Sequence, residues 1–153
     1  MAQTNYGSLV AQADALVRGV PHLIANLANI SALLYDALED INWAGFYLSQ
    51  GDQLVLGPFQ GKVACIEIPY GKGVCGTAAL RDETQLVPDV HQFPGHIACD
   101  SASRSEIVVP FHHNGRVIGV LDIDSPITDR FTQADRAGLE ALVVLLEELL
   151  FAA

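Results

Sequence analysis

Three cysteines, Cys65, Cys75 and Cys99, are the side chains of this 153-residue sequence best suited to covalent chemistry. An odd number excludes a fully paired disulfide framework within one chain. No two of them make a Cys-x-x-Cys pair, so a thioredoxin-type redox motif is absent. The commonest fate of a free cysteine is that of a small buried hydrophobe. Cys99 lies in His96-Ile97-Ala98-Cys99-Asp100; His91, His96 and Arg104 are close enough in sequence to favour a thiolate, whereas Asp100 opposes one. Cys75 stands just before a predicted helix, where amide dipoles favour a thiolate. Cys65 starts a predicted strand. His91, His96 and Cys99, with His112 or His113 as a fourth ligand, match the spacing of no common structural zinc site. No metal and no other cofactor is expected.

The elements that must position these groups read as follows. Ser8 to Val17 has the apolar spacing of a short amphipathic helix, with Leu9, Ala13, Leu16 and Val17 on one side. Gly19 breaks it, and Pro21 suits the first turn of a second helix, with a stripe through Leu23, Leu27, Ile30, Leu34, Leu38 and Ile41. Trp43–Leu48 and Gln53–Leu56 flank Ser49-Gln50-Gly51-Asp52 as a hairpin. Cys65–Pro69 is a short strand, Gly71-Lys72-Gly73-Val74-Cys75-Gly76 a glycine-rich turn into a helix ending near Arg81, and Thr84–Val87 another strand. Pro88 to Ser103 has no periodicity, the mark of a functional or disordered loop. Ser105–His112 and Arg116–Ile123 form a second hairpin through His113-Asn114-Gly115. Asp129–Phe151 closes the chain as a helix capped at Thr132, with Asp135 at its third position. The order predicts an α+β fold: a central antiparallel sheet with the N- and C-terminal helices packed on one face and a loop-covered pocket on the other.

Strand parity says which side chains meet that pocket, because successive residues point to opposite faces. Ala44, Phe46 and Leu48 alternate with Trp43, Gly45 and Tyr47; Ile107, Val109 and Phe111 alternate with Glu106, Val108 and Pro110; Leu121 and Ile123 alternate with Asp122 and Asp124. If the uniformly apolar sets lie under the helices, then Trp43, Tyr47, Glu106, Asp122 and Asp124 share the opposite face. Singly, each has an ordinary structural reading: Asp124 as a turn residue before Ser125-Pro126, Glu106 as a surface partner of Arg104, Trp43 as core. Together, gathered acids cost stability without a cationic partner. Such a pocket suits a ligand with an ammonium group, its aromatics holding an alkyl or sulfur-containing tail.

Half the chain is hydrophobic and 17% is charged, enough apolar material for one substantial core. The net charge of -10 repels phosphate backbones and anionic lipid, so neither nucleic acid nor a membrane surface is an expected partner. Met1 to Tyr6 carries no basic stretch leading into an apolar run, and the apolar region Ala137–Phe151 is interrupted by Glu140, Glu147 and Glu148. Neither a signal peptide nor a membrane span is predicted, and the expected location is the cytoplasm.

Seven segments resemble the free methionine-(R)-sulfoxide reductases. They are Trp43-Ala44-Gly45-Phe46-Tyr47-Leu48, Leu56-Gly57-Pro58-Phe59-Gln60-Gly61, Gly73-Val74-Cys75-Gly76-Thr77-Ala78, Val87-Pro88-Asp89-Val90-His91, Phe93-Pro94-Gly95-His96-Ile97-Ala98-Cys99-Asp100, Ser105-Glu106-Ile107-Val108-Val109-Pro110 and Gly119-Val120-Leu121-Asp122-Ile123-Asp124-Ser125. The resemblance runs from about Asn42 to Asp135. It implies a single GAF-type domain over residues 1–153, a homodimer, and thioredoxin-dependent reduction of the free amino acid. By the same resemblance Cys99 is the attacking thiol, Cys65 and Cys75 are resolving thiols, and Trp43, Tyr47, Glu106, Asp122 and Asp124 form the substrate pocket. Which of Cys65 and Cys75 meets Cys99 directly is left open. The alternative is a GAF-type module that senses a small ligand or a redox signal without turnover.

Overall fold

The structure is a computed structural model describing residues 3–96 and 102–151. A six-stranded antiparallel sheet runs in the order β3-β2-β1-β6-β5-β4, built from β1 (Trp43–Gln50), β2 (Gln53–Gly61), β3 (Glu67–Pro69), β4 (Gln85–Val87), β5 (Ser105–His113) and β6 (Arg116–Ser125). Helices α1 (Tyr6–Val17), α2 (Leu23–Ala37) and α4 (Gln133–Leu150) cover one face, and α3 (Gly73–Arg81) crosses the other. Asn5 caps α1 by accepting from Ser8 N at 3.0 Å. Thr132 and Asp135 form a reciprocal capping box at the start of α4, as expected from the sequence. Among the described residues, no helix is long and apolar enough to cross a membrane.

The sheet separates two apolar layers. Under the helices lie Ala44, Phe46, Ile107, Val109, Phe111, Leu121 and Ile123, packed on Leu27, Leu34, Leu139 and Leu142. On the α3 side lie Trp43, Tyr47, Val108 and Val120, with Val74, Cys75, Ala78 and Ala79. Alternation therefore sorts the strands as parity predicts, although both faces are buried. Several boundaries move. The second helix starts at Leu23, with Pro21 ahead of it, and ends at Ala37, leaving Ile41 outside. β2 continues through Gly57-Pro58 to Gly61, because β3 pairs only with Gln53–Val55 and the proline's missing N–H faces no neighbour. Pro110 is tolerated in β5 for the same reason, since β4 reaches only Val108. Cys65 precedes β3 instead of opening it. The segment from Pro88 contains one 3₁₀ turn, Val90–Gln92.

Candidate active site

The register of the central strands builds one wall of a pocket. Trp43 pairs with Gly61 and Asp124, Asp124 with Glu106, and Glu106 with Val87, so these residues lie in one row across the sheet. The next row on the same face holds Phe59, Gly45, Asp122 and Val108. Two glycines make room for the aromatics. A Cβ on Gly45 would collide with Phe59, and one on Gly61 (φ +135°) with the Trp43 ring. Trp43 then stacks between Phe59, at 5.0 Å between centroids, and Tyr47, at 5.8 Å. Its Nε1 donates to Lys62 O at 3.1 Å, and Tyr47 Oη donates to Cys65 O at 3.2 Å.

Beside these aromatics, on the same face of the sheet, stand Glu106, Asp122 and Asp124, each at least nine-tenths buried. Burial, then the charges of Asp122 and Asp124, hold the Glu106 carboxyl well above the usual carboxylate range. Burial likewise raises Asp122, opposed by hydrogen bonding with Glu106, Cys75 and Asp124. Asp122 Oδ1 is buried with no hydrogen-bond partner. The surface pairing of Glu106 with Arg104 does not occur: Glu106 points inward, and its Oε2 is 3.8 Å from Cys75 Sγ. Cys75 Sγ and one carboxylate oxygen each from Glu106 and Asp122 lie within 4.8 Å of one another, near enough to enclose a compact cation, whether a metal ion or an ammonium group.

The cysteines differ sharply. Cys75 lies inside α3, in its first turn, as a buried free thiol. Burial, then the charges of Asp122, Glu106 and Asp124, push its pKa well up. The expected helix-dipole activation is therefore overturned, because an amide dipole cannot offset desolvation beside three acids. Cys65 is half-buried and disulfide-bonded. Cys99 lies outside the described residues. His96 lines the pocket, and burial followed by the charge of His91 lowers its pKa, so the ring stays neutral over more of the pH range. His112 and His113 stand elsewhere: His112 is held by Asp82 and Glu147, and His113 stacks on Phe151.

All five residues assigned to the pocket by parity and resemblance line one cavity beneath α3. Sequence reasoning missed Lys72 and Ser103, which line it too. Lys72 carried a signal: it is a lone base between two glycines ahead of a helix, in a chain with only 8 Lys and Arg. Ser103 carried none. It is placed by tertiary contact, accepting from Asn42 Nδ2 at 3.3 Å.

The GAF domain family model matches residues 22–150. A free methionine-R-sulfoxide reductase of Escherichia coli is 57% identical over 145 residues, covering 95% of this chain and 88% of that protein. The reduced form of the Staphylococcus aureus fRMsr has a TM-score of 0.94 at 56% identity, covering 98% of this chain and 99% of that one. The Neisseria meningitidis free methionine-R-sulfoxide reductase, in complex with its substrate, gives 0.92 at 43% identity over 98% and 93%. With this identity maintained along nearly its whole length, the chain belongs to the GAF-type free methionine-(R)-sulfoxide reductase family and is an oxidoreductase.

Proposed function

We propose that the protein reduces free methionine-(R)-sulfoxide to methionine in the cavity beneath α3. The observation that carries this reading is Asp122 Oδ1, buried without a donor beside Glu106 and Asp124. A buried acceptor in that state favours a ligand that brings N–H groups and positive charge, as the ammonium of a free amino acid does. Lys72 and the positive end of α3 supply charge for the ligand's carboxylate. The Trp43–Tyr47 wall suits its methylthio end.

In the proposed reaction the Cys99 thiolate attacks the sulfoxide sulfur. The sulfoxide oxygen passes to Cys99 as a sulfenic acid, and methionine leaves. The oxygen must be protonated for this, and Glu106 or Asp122, whose pKa values burial raises, stands in the cavity to supply that proton. Cys65 then condenses with the sulfenic acid, forming a disulfide and releasing water, and a dithiol reductant of the thioredoxin type reopens it. The disulfide-bonded state of Cys65 and the buried, raised-pKa thiol of Cys75 support Cys65 as the resolving thiol. The whole chain is read as one GAF-type domain, working in the cytoplasm as a homodimer.

Single-turnover release of methionine without reductant tests the assignment. Wild-type protein and Cys65→Ser release about one methionine per site, and Cys99→Ser releases none. With reductant present, Cys75→Ser keeps turning over. A burst that survives in Cys99→Ser but is lost in Cys75→Ser would reverse the roles.

A further inference from the structure

Cys65 is disulfide-bonded and sits in the connection from β2 to β3, residues 62–66. On either side of it stand the two most exposed large apolar side chains among the described residues, Val63 at 88% and Ile66 at 69%. The backbone there is pinned. Lys62 O accepts from Trp43 Nε1, Cys65 O from Tyr47 Oη, and Ile66 O from Leu56 N at 2.9 Å. The segment is thus held in place with two branched apolar side chains exposed, Val63 lining the substrate cavity as well and Ile66 outside it, a surface that a partner can cover.

We propose that Val63 and Ile66 are the docking surface for the protein dithiol that reduces the Cys65 disulfide. This rests on the reading that the enzyme recycles through that disulfide. Two side chains make far too small a patch for a stable dimer, which buries on the order of 800 Å² per partner, whereas transient redox encounters lie at the small end of the range. An apolar contact also lets a reductant approach a chain of net charge -10 without needing a basic surface. Once docked, a thiolate of the reductant attacks Cys65 Sγ, forming a mixed disulfide and breaking the Cys65 disulfide. The displaced sulfur leaves as a thiolate and takes up a proton. The reductant's second thiol, deprotonated, then attacks its own mixed-disulfide sulfur, releasing Cys65 as a thiolate and closing the reductant's disulfide. Two electrons pass, and the enzyme regains two thiols.

Ile66→Ser tests the surface, because Ile66 does not line the substrate cavity and its backbone contact to Leu56 survives the change. Steady-state turnover is measured against thioredoxin and, separately, against dithiothreitol. The variant raises KM for thioredoxin roughly tenfold and leaves dithiothreitol-supported turnover within about twofold of wild type. An unchanged KM for thioredoxin overturns the proposal. So does a changed oligomeric state in gel filtration, which would make the patch a contact between copies. Wild-type turnover with dithiothreitol but not thioredoxin overturns the docking surface alone. No turnover with either overturns the disulfide reading and the docking surface with it.

Discussion

At the scale of single residues, the pocket holds its acids under tension. A buried acceptor without a donor costs about 1–3 kcal/mol, and Asp122 Oδ1 is one. Glu106 adds to the cost, since burial and two neighbouring carboxylates oppose its ionisation. Its folded pKa lies above its unfolded value, so the folded state binds the extra proton. The wild-type protein must lose stability as pH rises from the usual carboxylate pKa of about 4.3 toward the raised one. Glu106→Gln removes that loss. The variant melts above wild type by about 3 °C at pH 8, with a smaller gap at pH 5. Its kcat/KM falls by about 100-fold or more, the usual worth of a positioned proton donor. Paired thermal melts and initial rates check both halves, and a variant that melts lower at pH 8 contradicts the account of the acids.

At the scale of elements, α3 is the part most closely tied to function, and its far end is fastened. Its first turn lines the pocket, while Asp82, just past its last turn, meets His112 Nε2 at 2.6 Å. Glu147 of α4 meets the other ring nitrogen at 2.6 Å. The nearby Glu83, Arg136 and Glu140 face the same groove, and Arg136 pairs with Glu140 at 3.6 Å. Burial alone would lower the His112 pKa, but its hydrogen bonds to Asp82 and Glu147 and their charges raise it. A raised histidine pKa gives stability that is full below the unfolded value of about 6.5 and lost as pH climbs through the folded value. Solvent reaches this cluster, so its worth is under about 1 kcal/mol. His112→Ala therefore melts below wild type at pH 6 by no more than about 2–4 °C, and the gap narrows at pH 9. A gap that does not change with pH would show that only packing was lost. This fastening was not legible in the sequence, since residues 82, 112 and 147 belong to three elements whose mutual placement no periodicity encodes.

At the scale of the whole molecule, two apolar layers with a sheet between them explain why the site was legible in part. Alternation in β1, β5 and β6 is sharp because one face meets α1, α2 and α4 while the other meets α3 and a polar cavity. That contrast located Trp43, Tyr47, Glu106, Asp122 and Asp124 together without knowledge of the fold. The setting of Cys75 was missed because sequence shows a helix start but not what covers it, and here the first turn of α3 buries the thiol beside the acids. The length of β2 was misjudged because Gly57-Pro58 reads as a break unless one knows that β3 stops short of it. The central claim is that the acids select a ligand by its free ammonium group, which a residue within a peptide chain lacks. It is tested most directly by turnover with a thioredoxin system on three substrates: each epimer of free methionine sulfoxide, and the sulfoxide within a peptide. The account predicts turnover of the free R epimer, with kcat/KM exceeding that for the peptide by about 100-fold or more. Equal turnover of the peptide would contradict the role of the acids, and no turnover of any substrate would leave a ligand sensor in place of an enzyme.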